Sequence, residues 1–97
     1  MLMAYYVYIL TNKRRGTLYT GVTNDLARRA TEHREGKTGA FTTRYGTTLL
    51  ACVEPHDDVN MAILREKNIK KWRREWKIGL IEEHNPDWQD LFNDFNR

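Results

Sequence analysis

Cysteine occurs once in this chain of 97 residues and proline twice. A lone cysteine excludes an intramolecular disulfide. Cys52 lies in the apolar run Leu49-Leu50-Ala51-Cys52-Val53 and reads as a small buried hydrophobe. Nothing near it in sequence lowers its pKa, so a nucleophilic role is not expected. Long hydrophobic runs are missing too. None approaches the ~20 residues that a membrane-spanning helix needs, so no membrane contact is expected. Met1-Leu2-Met3-Ala4 has neither the basic start nor the small-residue cleavage site of a secretory signal, and a cytoplasmic protein is the default. There is no internal repeat and no low-complexity linker. The length suits one small domain, 1–97, with a single modest core.

What is present is ordered and charged. Hydrophobic residues make up 40% and charged residues 30%, with a formal net charge of +3. The charges are unevenly placed. Residues 12–44 carry eight Lys/Arg against three acids (Asp25, Glu32, Glu35), and residues 65–77 carry seven against two (Glu66, Glu75). The tail from Glu82 holds five acids and one base, Arg97. Two basic tracts beside an acidic tail suit either a polyanion-binding face or two solvated helix faces.

Ala4 to Thr11, rich in tyrosine and β-branched residues, reads as a strand. Asn12 to Gly16 is a polar turn, with Gly16 available for a positive φ, and Thr17 to Thr23 reads as the partner strand of a hairpin. Whether Tyr8 and Tyr19 share a face depends on a register that the sequence leaves open. Asn24 or Asp25 suits the N-cap of a helix running to about Glu35, closed by Gly36. On it Leu26, Ala30 and His33 form one stripe with Arg29 on the same side, while Arg28 and Glu32 make an exposed i,i+4 pair. Gly36 to Gly46, with Thr42, Thr43 and Arg44, reads as a loop. Thr48 to Glu54 reads as a third strand closed by Pro55. Asp57 or Asp58 starts a second helix that runs through Trp72 and bends on to Glu83. Asn85-Pro86 reads as the N-cap and first position of a short last helix around Trp88, Leu91, Phe92 and Phe95. The fold class is therefore α+β, a small three-stranded antiparallel sheet flanked by helices.

Tyr8, Tyr19, Arg29 and His33 converge on this layout, and Glu66 falls on the helix stripe Ala62, Glu66, Ile69 that should face the sheet. A lone carboxylate there is costly unless partnered. Hydrolysis of a phosphodiester needs an activated water, a stabiliser of phosphoryl charge and help for the leaving oxygen. An arginine fork fits the oxygens, and a carboxylate-bound cation serves the last two needs. A tyrosine, with a reference pKa near 10, needs a cation beside it to act as a base, and His33 is an alternative proton acceptor. Each residue also has a plainer role: Tyr6 and Tyr8 as strand packing, Glu66 as a salt-bridge partner of Lys70, Trp72 and Trp76 as core or rim packing.

Tyr6-Val7-Tyr8 and Tyr19-Thr20-Gly21, the helix segment Gly21 to Arg29 followed by Glu32-His33-Arg34-Glu35-Gly36, and the segment Ala62 to Trp72 together resemble the GIY-YIG nuclease domain over nearly the whole chain. The resemblance is closest to small standalone bacterial members and extends to the nuclease module of structure-specific junction resolvases. It implies Tyr8 or Tyr19 as the base, Arg29 on the scissile phosphate, His33 in proton transfer, and Glu66 as sole carboxylate ligand of Mg²⁺ or Mn²⁺. It also implies a DNA substrate, with RNA open, and DNA repair or recombination as a setting. Arg14, Arg15, Arg44, Lys70 and Lys71 are the candidates for holding the nucleic-acid backbone. The chain departs from the signature at Tyr6 in place of the first glycine, at Thr20, and at Val22 where some members carry lysine. Two other functions stay open: a catalytically weak nucleic-acid-binding module of the same fold, and an interaction protein using Trp72, Trp76 and Trp88. A protein partner that supplies substrate recognition would suit either nucleic-acid reading.

Overall fold

The structure is a computed structural model that describes residues 4–37 and 44–95. Thr42 and Thr43 of the expected loop lie outside them. Strands β1 (Tyr5–Thr11), β2 (Leu18–Thr23) and β3 (Leu49–His56) form one antiparallel sheet in the order β2-β1-β3. Helices α1 (Leu26–Arg34), α2 (Val59–Lys71), α3 (Arg74–His84) and the short α4 (Phe92–Phe95) flank it. This is the α+β architecture implied by the order of the elements. No described helix is long and apolar enough to cross a membrane.

β1 is central and covered on both faces. Val7 and Ile9 pack with Ala51, Cys52, Ala62, Ile69, Ile81 and Trp88 on the side of α2 and α3. Tyr8 and Leu10 pack with Leu26, Ala30, Leu50 and Phe92 on the side of α1. Leu50 belongs to one core while Ala51 and Cys52 both belong to the other. A register shift between Ile9 and Leu10 produces this: Ile9 pairs with Cys52 and Leu10 with Leu50, so Ala51 is the extra residue of a bulge. Cys52 is the buried hydrophobe expected. Burial first, then the nearby Glu54 carboxylate, pushes its thiol up to about 11.

The helix termini follow their sequence signals. Asp25 accepts from the Arg28 N–H at 3.2 Å, and Asp58 accepts from Asn60 and Met61. Gly36 has φ 71°, and the bonds from Gly36 N to His33 O and from Lys37 N to Glu32 O close a Schellman motif.

Four expectations need correction. In the hairpin turn it is Arg15, not Gly16, that takes the positive φ, at 54°. Gly16 is there for space, since a Cβ on it would lie 2.0 Å from Asn12 Oδ1. Pro55 does not end β3, which runs on to His56. Proline is tolerated because β3 is an edge strand. The long second helix is two helices. Trp72 and Arg73 are both extended (ψ 154° and 150°), which turns α3 so that Ile81 reaches the core.

The fourth correction concerns Asn85. It opens no helix; it is the C-cap of α3. Its buried side chain donates to Ala51 O (3.0 Å) and Gln89 O (2.8 Å) and accepts from Gln89 N (3.0 Å). It thus satisfies the carbonyl that the bulge removes from the ladder. Trp88, expected in the last helix, lies before it and is buried, donating from Nε1 to Glu82 at 2.8 Å. Asn85→Ala removes the donor to the buried Ala51 carbonyl and both bonds to the Gln89 backbone. We expect about 3 kcal/mol of destabilisation in urea unfolding, and Asn85→Asp, which lacks the donor, should not restore it.

Candidate active site

The register answers the question left open by the sequence. Tyr8 pairs with Gly21 and Leu10 with Tyr19, so Tyr8 and Tyr19 are diagonal neighbours on one face. Their rings are 6.5 Å apart between centroids. His33, on the buried stripe of α1, meets both: 5.9 Å from Tyr8 and 5.2 Å from Tyr19. The Tyr8 hydroxyl and His33 Nε2 are 3.3 Å apart.

Gly21 makes this arrangement possible. A Cβ there would lie 2.4 Å from the Tyr8 oxygen and 2.5 Å from Cζ, so the hydroxyl end of the Tyr8 ring occupies the space beside the glycine. The second glycine of the motif is thus a packing requirement of the first motif's tyrosine.

Arg29 and Glu66 border the same centre. Burial, and then the Tyr19 phenol, raise the Tyr8 pKa; the Arg29 guanidinium opposes them, and the Glu66 and Glu32 carboxylates add to the rise. Burial and then Arg29 push His33 down to about 4, against a smaller opposing pull from Glu32. At neutral pH the pair is therefore a protonated phenol beside a neutral imidazole. Arg29 keeps 43% of its side chain exposed and meets Glu32 only at 3.5 Å. Glu32 also takes Arg28 at 3.6 Å. Sequence reading placed Glu32 in the outer pair alone; its i,i+3 spacing from Arg29 was the signal for its second contact. Thr23, Asn24, Asp25, Arg28, Arg29 and Glu32 line a polar cleft of about 60 Å³. A second recess of about 280 Å³, with Tyr5, Val22, Val59 and Ile63 as its apolar walls, shares Thr23, Asn24 and Arg29 with it.

The Glu66 side chain is only 14% exposed and meets Lys70 Nζ at 3.3 Å. Among the described residues no three His, Cys, Asp or Glu side chains gather around one point. One carboxylate with a nearby phenol suits a hard cation that completes its shell with water and phosphate oxygens, as Mg²⁺ does. The donor chemistry therefore fits a single-carboxylate site.

The basic candidates are dispersed. Arg15 is held by Glu82 at 3.1 Å. Arg14 is exposed in the same turn, and Arg44 is exposed with its guanidinium 5.4 Å from the centre of the Tyr45 ring. Lys70 and Lys71 are exposed at the end of α2.

His33 gives a stability prediction with a definite sign. The unfolded chain protonates it near its ordinary 6.5, the folded chain only near 4. As pH falls through that window the unfolded state gains the proton first, and stability drops by about 3 kcal/mol. Above pH 6.5 the group contributes nothing. Urea unfolding of the protein and of His33→Gln, compared from pH 4 to 7, should show this drop in the difference between the two curves.

Residues 4–79 match the family described as the GIY-YIG catalytic domain. This chain belongs to the GIY-YIG family. All the GIY-YIG residues described above, from Tyr8 to Glu66, fall inside that match. The chain is 40% identical over 83 residues to a UPF0213 protein of Syntrophus aciditrophicus, covering 84% of this chain and 93% of that one. A UPF0213 protein of Haloquadratum walsbyi is 38% identical over 79 residues, covering 81% and 88%. The solution NMR structure of a UPF0213 protein from Bacillus halodurans matches with a TM-score of 0.57 and 29% identity, over 92% of this chain and 94% of that chain. The domain is nuclease-like by family, and the names of these relatives specify no activity.

Proposed function

We propose that this GIY-YIG chain is one module, 1–97, acting as a divalent-metal-dependent endonuclease on DNA phosphodiester bonds. The observation that carries the reading is the buried Tyr8–His33 contact, bordered by Arg29 and Glu66, whose charges both reach Tyr8. Arg29 binds the non-bridging oxygens of the scissile phosphate and stabilises the charge that develops there. Its loose contact with Glu32 leaves it available to do so. Glu66 would hold Mg²⁺ or Mn²⁺, which when bound supplies charge neutralisation at the phosphate and the leaving oxygen. Lys70, whose ammonium meets that carboxylate at 3.3 Å, would give way to the cation.

Tyr8 acts as a relay. Its environment disfavours a standing phenolate. The phenol passes its proton to neutral His33 Nε2 as its oxygen takes one from the attacking water. The net transfer is from water to His33, which carries the positive charge, with no lasting phenolate on Tyr8. This requires the His33 tautomer protonated at Nδ1. Tyr19 packs against both rings and keeps them oriented.

The test is incubation of end-labelled duplex, flap, four-way-junction and single-stranded DNA with pure protein in Mg²⁺, Mn²⁺ or EDTA. Cleavage with metal and none in EDTA is expected. Intact DNA in every lane, with salt-sensitive binding, would support the catalytically weak binding module instead. The interaction reading is left with Trp72 and Trp76, an edge-on pair 6.2 Å apart between centroids, because Trp88 is buried.

A further inference from the structure

Two basic residues, Arg74 and Lys77, share the lining of one cavity. Arg15, Arg28, Arg34 and Arg65 each face a carboxylate. Arg74 and Lys77 are in no ion pair among the described residues. Arg74 Nη2 donates to the Arg15 carbonyl, and Lys77 Nζ to the Lys70 carbonyl at 3.4 Å. Both line a cavity of about 390 Å³ whose other walls are Thr17, Leu18 and Trp72. That volume lies within the usual range for small-ligand sites. The lining combines two cations, a hydroxyl, an indole and a leucine. Among the described residues no acid lines it.

We propose that this cavity is a second DNA-binding site. It takes one nucleotide of the strand flanking the cleaved bond, with the phosphate on Arg74 and Lys77 and the base or sugar against Trp72. An anion there relieves a real repulsion: burial, then the Arg74 guanidinium, hold the Lys77 ammonium below its ordinary value. Trp72 already meets the Arg65 guanidinium at 4.9 Å and the edge of Trp76; the indole surface it leaves to the cavity suits a nucleotide, since every base offers a face to stack, and an acidic peptide would leave it unused.

The cavity lies on the α2 and α3 side of the sheet, where Leu18 and Trp72 pack, and is linked to Glu66 along α2. Lys70 touches Glu66 through its ammonium and Lys77 through its carbonyl. Leu18 precedes Tyr19 on β2 and points to the opposite face of the sheet. Trp72 is six residues beyond Glu66, about 9 Å along the helix axis. That is the length of about three stacked nucleotides of one strand.

The identity of the ligand rests on the nuclease reading, so the test is made without cleavage. A fluorescein-labelled single strand of about 12 nucleotides is titrated with the full chain in EDTA over a range of NaCl. The variants are Arg74→Gln/Lys77→Gln, Lys77→Gln alone, and Lys37→Gln, which removes the same single charge as Lys77→Gln from just beyond α1; each is checked by thermal melting. The double variant should bind about tenfold more weakly at ~50 mM salt, with the slope of log K against log salt reduced by about 1.4. Lys77→Gln alone should lose about half that slope, and Lys37→Gln should keep the slope of the parent protein. Trp72→Phe should also weaken binding. Wild-type affinity and slope in the folded double variant would overturn the inference, as would equal loss in Lys37→Gln. So would competition by poly-glutamate as effective as by unlabelled DNA. Failure to cleave any DNA bears on the active site alone and leaves this result independent.

Discussion

Gly21→Ala should cut single-turnover cleavage about 100-fold or more, the scale of a lost proton-transfer partner. The substitution adds one methyl group, yet that carbon would lie 2.4 Å from the Tyr8 oxygen and 3.0 Å from Cε2. Tyr8 is 3% exposed, so its ring cannot swing into solvent. It must shift within a packed core, and the 3.3 Å contact with His33 opens. Overpacking of this kind costs about 1–3 kcal/mol, so stability falls as well. An independent signal separates the two effects: with Tyr8 displaced, the His33 imidazole gains solvent, and its NMR titration moves from about 4 toward 6.5. Gly79→Ala is the control. A Cβ there meets nothing within 4 Å, and alanine in a helix should stabilise α3 by up to about 1 kcal/mol. Equal cleavage by Gly21→Ala and the parent protein would show that the Tyr8–His33 contact plays no part in the chemistry.

Arg29→Ala should lower the cleavage rate about 10²- to 10³-fold, as for loss of one donor to a developing oxyanion. Binding of DNA should change little. Arg29 lines the cleft with Arg28, but only Arg29 bears on the Tyr8 and His33 ionisations. Arg28 is 73% exposed and points outward to Glu32, so Arg28→Ala should change the rate less than about threefold. Arg29→Lys should recover only part of the loss, because a point charge cannot supply the planar fork. Single-turnover rates of the three variants against the parent protein check the ordering. A loss at Arg28 as large as at Arg29 would mean that the cleft works by net charge, with no role for a positioned guanidinium.

The candidate site was legible because it is local. The two tyrosine triplets lie on a hairpin and Arg29 and His33 on the helix that follows, so few arrangements are available to them. The shared face of Tyr8 and Tyr19 was not legible. β1 is apolar on both sides, and a strand covered twice lacks the alternation that reveals register. The bulge at Ala51 was hidden for the same reason, inside the continuous run Leu49 to Val53. Asn85 carried the right chemistry for a cap, but its bonds to Ala51 cross 34 positions, and Asn-Pro is an equally good local start for a helix. The pair Arg15–Glu82 spans 67 positions, and it holds a cation that local charge counting had assigned to DNA. The bend at Trp72 was anticipated, but its sharpness was not, because it comes from docking Ile81 and Trp72 against the sheet. The cavity at Arg74 and Lys77 exists only because of that turn.

The most direct test of the central claim is the cleavage time course of one labelled DNA substrate in Mg²⁺ by the parent protein and by Glu66→Ala, with DNA affinity measured alongside. The account expects metal-dependent cleavage by the parent protein, at least about 10³-fold slower cleavage by the variant, and DNA binding retained by both. Equal metal-dependent cleavage by both proteins would contradict it.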